Sequence, residues 1–171
     1  MTTYRIRLAK RASTIVVGAG MCALLGIGSA EAYSGFGTAV VEDRNGKPCF
    51  GLPTRAFESL RSPRLLQALT VHRHGTENTW SFMYHPSPAA LLKPGQCIVY
   101  GEIPASATLL DVPQPLIPGA LYGVFLNVRR IGPIAGYTAT FCLKAQPDGS
   151  TRVIPVHHDE HKGWTAEACR S

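Results

Sequence analysis

The sequence predicts an all-β fold, an immunoglobulin-like β-sandwich of about seven to eight short strands with two disulfides. Short β-type runs recur along the chain between clusters of Pro, Gly and Asn, a spacing typical of such sandwiches. Charged residues make up only 16% of the chain, and 13 residues are proline. Helical bundles need charged outer faces and few prolines. The 45% of hydrophobic residues argues against intrinsic disorder.

The expected strands are separated by turns that their sequences favour. Asn45-Gly46 favours a type I′ hairpin turn, because both central residues of that turn take positive φ. Pro63 divides the region 55–69 into two parts, 55–60 and 63–69, each expected to hold a short helix or turn. The run 102–119 contains four prolines and is expected to be irregular. The strands are expected at 38–42, 47–52, 69–73, 79–84, 97–101, 121–128, 137–144 and 151–156.

Alternation along these strands predicts the core. Residues two positions apart lie on the same face of a strand, so each apolar set should face inward. Trp164, near the C terminus, belongs to no strand; it is expected either to pin the tail to the outer face or to form an exposed binding patch, and pinning is favoured. The expected core residues are Trp80, Phe82, Tyr84, Tyr122, Val124, Leu126 and Val128.

The N-terminal residues 1–32 have the features of a secretory signal peptide. Four basic residues between Arg5 and Arg11 precede the uncharged, mostly apolar run 14–29. Ala30-Glu31-Ala32 then supplies the small residues that signal peptidase requires, so the mature chain is expected to begin at Tyr33. The competing interpretation is a membrane anchor, but the apolar run is shorter than the ~20 residues that cross a bilayer. The prediction is one β-sandwich domain, 33–171, in the periplasm or outside the cell.

Cleavage at this site would change the charge balance. It removes four of the 17 basic residues and one of the 11 acidic residues, which leaves 13 against 10 and a net charge of +3. No dense basic run remains, since Arg129-Arg130 is only a pair. A nucleic-acid surface needs a concentrated basic face, so no nucleic-acid partner is expected.

Four cysteines follow the expected cleavage site. They are Cys49, Cys97, Cys142 and Cys169, and an even number in an exported chain predicts two disulfides. None has the CxxC spacing of a zinc or redox site. Three pairings are possible. In strand 137–144, Cys142 points away from the apolar face, where a tail ending in Cys169 can reach it, so Cys142–Cys169 and Cys49–Cys97 are favoured.

Histidines supply the only candidate ligand site. His72 and His74 would project from one face of a strand. His157, His158 and His161 lie in an acidic, histidine-rich run, and imidazole suits zinc, copper or nickel. The run follows a strand and lacks the HExxH order of a metalloprotease, so a solvated loop is the simpler interpretation. A metal- or small-ligand-binding module that uses these histidines is the alternative function, and no cofactor is expected.

The sequence indicates no catalytic site. It contains no GxSxG motif, and no cysteine stays free once four are paired. The acidic pairs Glu42-Asp43 and Asp159-Glu160 lie beside expected turns, where carboxylates are ordinarily solvated. The chain is therefore predicted not to be an enzyme, and no catalytic residue is assigned.

The order of several motifs resembles a known family. The matching segments are Asn45 to Phe50 (NGKPCF), Trp80-Ser81-Phe82, Pro94 to Glu102 (PGQCIVYGE), Gly119 to Asn127 (GALYGVFLN) and Tyr137 to Leu143 (YTATFCL). From about Val40 to Lys144 the chain is similar to small bacterial periplasmic proteins, many of them lipoproteins, described as type VI secretion immunity proteins. It differs in having an AxA cleavage site where those proteins have a lipobox cysteine.

The resemblance implies a non-catalytic binder that neutralises a toxic effector delivered to the periplasm. The expected partner is a protein, either a toxin or an envelope protein, and no membrane span is expected in the mature chain. Loops or an exposed strand edge are the expected contact surface. The stretch from Arg55 to Arg73, which includes Arg61 and Arg64, is the candidate contact region.

Overall fold

The computed structural model describes residues 35–58, 64–85, 89–129, 134 and 136–170. The expected signal peptide and the domain boundary at residue 32 lie outside these ranges. Within them no helix is long and apolar enough to cross a membrane. The elements are β1 (Phe36–Thr38), β2 (Val40–Arg44), β3 (Lys47–Gly51), α1 (Arg55–Glu58), β4 (Arg64–Arg73), β5 (Asn78–Met83), β6 (Ala90–Leu92), β7 (Cys97–Val99), β8 (Thr108–Asp111), β9 (Leu121–Val128), β10 (Gly136–Ala145), β11 (Thr151–Val156) and a 3-10 turn (Glu167–Cys169).

The strands form a large sheet of eight strands and a small sheet of three. The large sheet has the order β1-β10-β9-β4-β5-β8, with β11 also paired to β10 and β6 also paired to β4; the small sheet has the order β2-β3-β7. The β1–β10 pair is parallel. The all-β prediction is confirmed, with two sheets and two disulfides. The immunoglobulin-like form is not confirmed, since sheets of eight and three strands depart from its three and four.

One apolar core joins the two sheets. Phe50 of β3 and Phe141 of β10 have ring centroids 5.4 Å apart, and Phe141 stacks on Tyr122 of β9 at 5.5 Å. The seven core residues expected from alternation are all buried: Trp80, Phe82, Tyr84, Tyr122, Val124, Leu126 and Val128. Full burial of a large apolar side chain contributes about 1.5–3 kcal/mol, so this inner face supplies much of the stability.

The β2–β3 turn also connects the sheets. Asn45 and Gly46 have φ of 55° and 81°, which confirms the predicted type I′ geometry. The carboxylate of Asp43 accepts hydrogen bonds from the backbone N–H of Gly46 at 2.9 Å and of Val153 at 2.6 Å. The Thr151 hydroxyl donates to the Gly46 carbonyl at 3.1 Å. Since Thr151 and Val153 belong to β11, these bonds fasten the small sheet to the large one.

The four cysteines form Cys49–Cys97 and Cys142–Cys169, the two pairs favoured by alternation. The first joins the neighbouring strands β3 and β7. The second joins β10 to the 3-10 turn. Cys142 and Cys169 are 0% and 2% exposed, because the C-terminal segment covers the outer face of β10 at this point.

Two segments differ from the prediction. Residues 63–69, expected as a helix or turn, enter strand β4 at Arg64. Leu66 and Leu69 are three positions apart, a helix-like spacing, yet both are buried because a β-bulge between Leu66 and Ala68 shifts the register. The region 102–119, expected to be irregular, contains β8. Strands β1 and β6 were not predicted either, since three residues are too few to show alternation.

Candidate functional site

Exposed apolar side chains concentrate at the β8 end of the large sheet. Leu110, Val112 and Ile117 are 56%, 62% and 51% exposed. β8 is the last strand in the sheet order, and no other strand of the described residues pairs with its outer side. We call the segment 108–117 the apolar edge. Exposed apolar surface next to unpaired backbone groups is typical of a contact site for another chain.

The second half of the apolar edge is held in place by hydrogen bonds to the sheet. The N–H of Gln114 donates to the Thr79 carbonyl at 2.9 Å. The Tyr100 hydroxyl lies 2.7 Å from the Gln114 carbonyl and 3.1 Å from the Thr79 carbonyl, so its proton is shared between them. The Ile117 N–H donates to the Tyr122 hydroxyl at 2.7 Å. Burial raises the pKa of Tyr100, which keeps the phenol protonated and able to donate.

The first half is fixed at β8 itself. The carboxylate of Asp111 accepts a short hydrogen bond from the Ser81 hydroxyl and a second one from the Asn78 amide at 3.1 Å. A bulge between Ser81 and Phe82 shifts the register of β5 against β8, and Leu110 is left outside the paired positions. The apolar edge therefore presents its side chains from a backbone with little freedom, which lowers the entropy lost on binding.

Sequence reasoning missed this surface because the four prolines of 102–119 marked the whole region as irregular. The available signal was the run Leu109-Leu110-Asp111-Val112, which is apolar except for Asp111 and lies between Pro104 and Pro113. A short strand at a sheet edge is compatible with flanking prolines.

The structure links three of the candidate histidines, His72, His74 and His158, through ring contacts that include Trp164. His72 and His74, on one face of β4 as expected, have stacked rings 5.9 Å apart. The Trp164 ring contacts His74 at 6.4 Å and His158 at 5.2 Å, both edge to face. The candidates His157 and His161 are exposed in the C-terminal segment. No group of three potential ligands in the described ranges has the geometry to hold a metal ion.

His72 has the most constrained ring of this group. Its ring lies over Gly123 of β9, where an added Cβ would approach to 2.5 Å. Burial, and then the neighbouring His74, lower the pKa of His72. The ring is thus kept neutral by its surroundings to a lower pH than a free histidine, as expected of a structural side chain.

Trp164 has the contacts of a pinning residue and the exposure of a surface residue, the two roles between which the sequence left a choice. Its contacts with His74 and His158 tie the C-terminal segment to β4, on the far side of β9 from Cys142. The indole is nevertheless 44% exposed and lines a cleft of about 350 Å³. A tryptophan held by aromatic neighbours and open to solvent is a suitable ligand contact.

The other candidates have structural roles. Arg64 is only 3% exposed, and its Nε donates to the Ala56 carbonyl at 2.9 Å, so it is withdrawn from the suggested arginine contact region; Arg61 lies outside the described residues. Asp159 accepts backbone hydrogen bonds from Lys162 and His161 at 2.9 and 2.8 Å, and these bonds lower its pKa. Glu42 pairs with Arg44 at 2.9 Å.

Comparison with known proteins finds no matching family model, no matching curated protein and no matching solved structure.

Proposed function

We propose that this chain is an exported, non-catalytic binding protein, and that it serves as an immunity protein that neutralises a toxic effector directed to the periplasm. The observation that carries the proposal is the apolar edge, which presents Leu110, Val112 and Ile117 to solvent from a hydrogen-bonded backbone. The motif resemblance over Val40 to Lys144 supplies the class of partner. An immunoglobulin-like origin of the sandwich and cleavage after Ala32 belong to the same proposal.

The two disulfides support an oxidising compartment. Structural disulfides persist outside the cytosol, where thiols are not kept reduced. Both pairs are buried or partly buried between packed elements, and each closes a long stretch of chain, with sequence separations of 48 and 27 residues. A domain that must stay folded in the periplasm without chaperones of the cytosol benefits from such cross-links.

The partner is expected to contact the apolar edge with an extended segment. The outer side of β8 offers backbone N–H and C=O groups to an added strand, which is a common mode of recognition. Leu110 and Val112 then act as the apolar anchors beside that strand. Full burial of a leucine or valine side chain in an interface contributes about 1.5–3 kcal/mol.

The experiment is protection of a bacterial host from a periplasm-directed toxin, and the first candidates are any toxin genes that neighbour this gene. The full chain, with its own leader, is co-expressed with the effector directed to the periplasm, and the complex is measured by calorimetry with the exported protein. We expect growth to be rescued and the Kd to be micromolar or tighter. The double variant L110D/V112D should lose about 100-fold or more in affinity and no longer rescue growth.

Leu91→Asp is the matched control. Leu91 is also an exposed leucine, 47% exposed, but lies on β6, which pairs with β4 and not with β8. The Leu91→Asp variant should protect the host as well as the unchanged chain does. An effector that fails to bind at micromolar concentration would count against the immunity function. An equal loss of affinity for the effector in L110D/V112D and in Leu91→Asp would count against the apolar edge as the contact.

A further inference from the structure

A cleft opens where β1 and β11 share one edge of β10. β1 pairs with β10 up to Thr138, and β11 pairs with it from Thr140 onward, so the edge at Ala139 is left between the two strands. The chain leaves the large sheet at Ala39, directly after β1, to enter the small sheet. This gap forms part of the cleft, which the C-terminal segment borders with His158 and Trp164.

The described residues that line the cleft include no Asp, Glu, Lys or Arg. A charged ligand that gives up its water in such a site needs an opposite charge to offset the desolvation penalty. The cleft therefore offers no carboxylate to an ammonium group and no permanent cation to a phosphate or a carboxylate, which favours a neutral ligand.

Polar groups in the lining are free to bind. The side chains of Thr138, His157 and His158 make no hydrogen bond to any other described residue. A hydroxyl both donates and accepts, and a neutral imidazole has one donor and one acceptor nitrogen. The cleft thus offers both kinds of partner to a ligand that carries hydroxyl groups.

Trp164 adds an aromatic surface to these polar groups. Its edge-to-face contacts with His74 and His158 restrict the orientation of the indole, while 44% of the residue stays exposed. We propose that the cleft binds a neutral saccharide, with a pyranose ring packed on Trp164. The C–H face of a pyranose is flat and apolar and its rim is hydroxylated, which matches an indole beside Thr138 and His158.

The volume limits the ligand to a small part of a glycan. Ligand pockets range over about 300–1,000 Å³, and this cleft, at about 350 Å³, lies near the lower end. A single sugar or a disaccharide unit fits this size. With one aromatic contact and a few hydrogen bonds, the affinity is expected to be about millimolar.

The test is an NMR titration of the exported protein with three neutral disaccharides: maltose, cellobiose and N,N′-diacetylchitobiose. The indole N–H signal of Trp164 should shift saturably with at least one of them, with a Kd of about 10 mM or tighter. The signal of Trp80, which is 0% exposed, serves as the internal control and should not move. Galacturonic acid, with its carboxylate, should bind about ten-fold more weakly than the best neutral probe.

Variants assign the site. Trp164→Ala should weaken binding of the disaccharide about ten-fold or more. Trp164→Phe keeps an aromatic ring and should lose less affinity. Leu110→Ala, on the apolar edge, should bind the sugar like the unchanged chain. The proposal is overturned if none of the three disaccharides shifts the Trp164 signal by about 20 mM, or if Trp164→Ala binds as well as the unchanged chain.

Discussion

Removal of the Cys142–Cys169 disulfide should destabilise the domain by an amount set by its ring size. For a sequence separation of 27 residues, the loop-closure relation gives an entropy difference of about 12 cal/mol/K, or about 3.5 kcal/mol at 25 °C. The C142A/C169A variant should therefore lose about 3.5 kcal/mol in free energy of unfolding. Domains of this size have total stabilities of about 5–15 kcal/mol, so the loss is a large fraction.

The assay is urea unfolding under non-reducing conditions, followed by circular dichroism. The midpoint should fall while the cooperativity of the transition is retained, and the melting temperature should drop by about 10 °C. Fluorescence adds a local measurement, because the C-terminal segment carries Trp164. Release of the segment should increase quenching of Trp164 by iodide, whereas Trp80 stays protected in the core.

The matched control is C49A/C97A. Its larger separation of 48 residues gives about 4 kcal/mol by the same relation, but its loss should leave quenching of Trp164 unchanged in the folded state. A loss below about 1 kcal/mol in C142A/C169A would refute the loop-closure reasoning. Equal quenching of Trp164 with and without the disulfide would show that the histidine contacts alone hold the segment.

Three further predictions concern the outer face and the sheet junction. Burial lowers the pKa of folded His72 below the ordinary 6.5. The contribution of His72 to the free energy of unfolding is therefore fully present above about pH 6.5 and is lost as the pH falls through the lower folded-state pKa. His72→Gln should flatten this part of a pH–stability profile. Gly123→Ala places a Cβ 2.5 Å from the His72 ring and should reduce stability in urea by about 1–3 kcal/mol, with part of the loss recovered in G123A/H72A. Asp43→Ala leaves the N–H groups of Gly46 and Val153 without their acceptor and should reduce the free energy of unfolding by about 1–3 kcal/mol. Asp43→Asn keeps one oxygen and should reduce the free energy of unfolding by less.

The sequence was sufficient wherever the local pattern matches the tertiary environment. Alternation placed Trp80 and Phe82 in the core and turned Cys142 outward, and the Asn45-Gly46 pair defined its turn. It failed at residues 64–68, because a bulge between Leu66 and Ala68 changes which positions face inward and no local signal marks it. The size of the large sheet was not predictable either, since the pairing of β1 and β6 depends on distant strands.

The binding surfaces were harder to predict for the same reason. Leu110 and Val112 become exposed only because the register of β8 against β5 shifts at a bulge and no strand follows. His72 and His74 could be placed on one face from spacing alone. The contact of His74 with Trp164 depends on the path of the C-terminal segment across the sheet, which the Cys142–Cys169 disulfide fixes.

Leu110 of β8 and the saccharide cleft lie at opposite ends of the strand order of the large sheet, whereas the second half of the apolar edge turns back toward Tyr122 of β9. From β10 to β8 there are four strand-to-strand steps of about 4.8 Å each, or roughly 19 Å. Sites this far apart and without shared contacts act independently, so each surface can be tested without disturbing the other. If Trp164→Ala abolished binding of the effector while L110D/V112D did not, the protein partner would belong at the cleft. The apolar edge would then need a different occupant, since its exposed leucine and valine would still lack a partner.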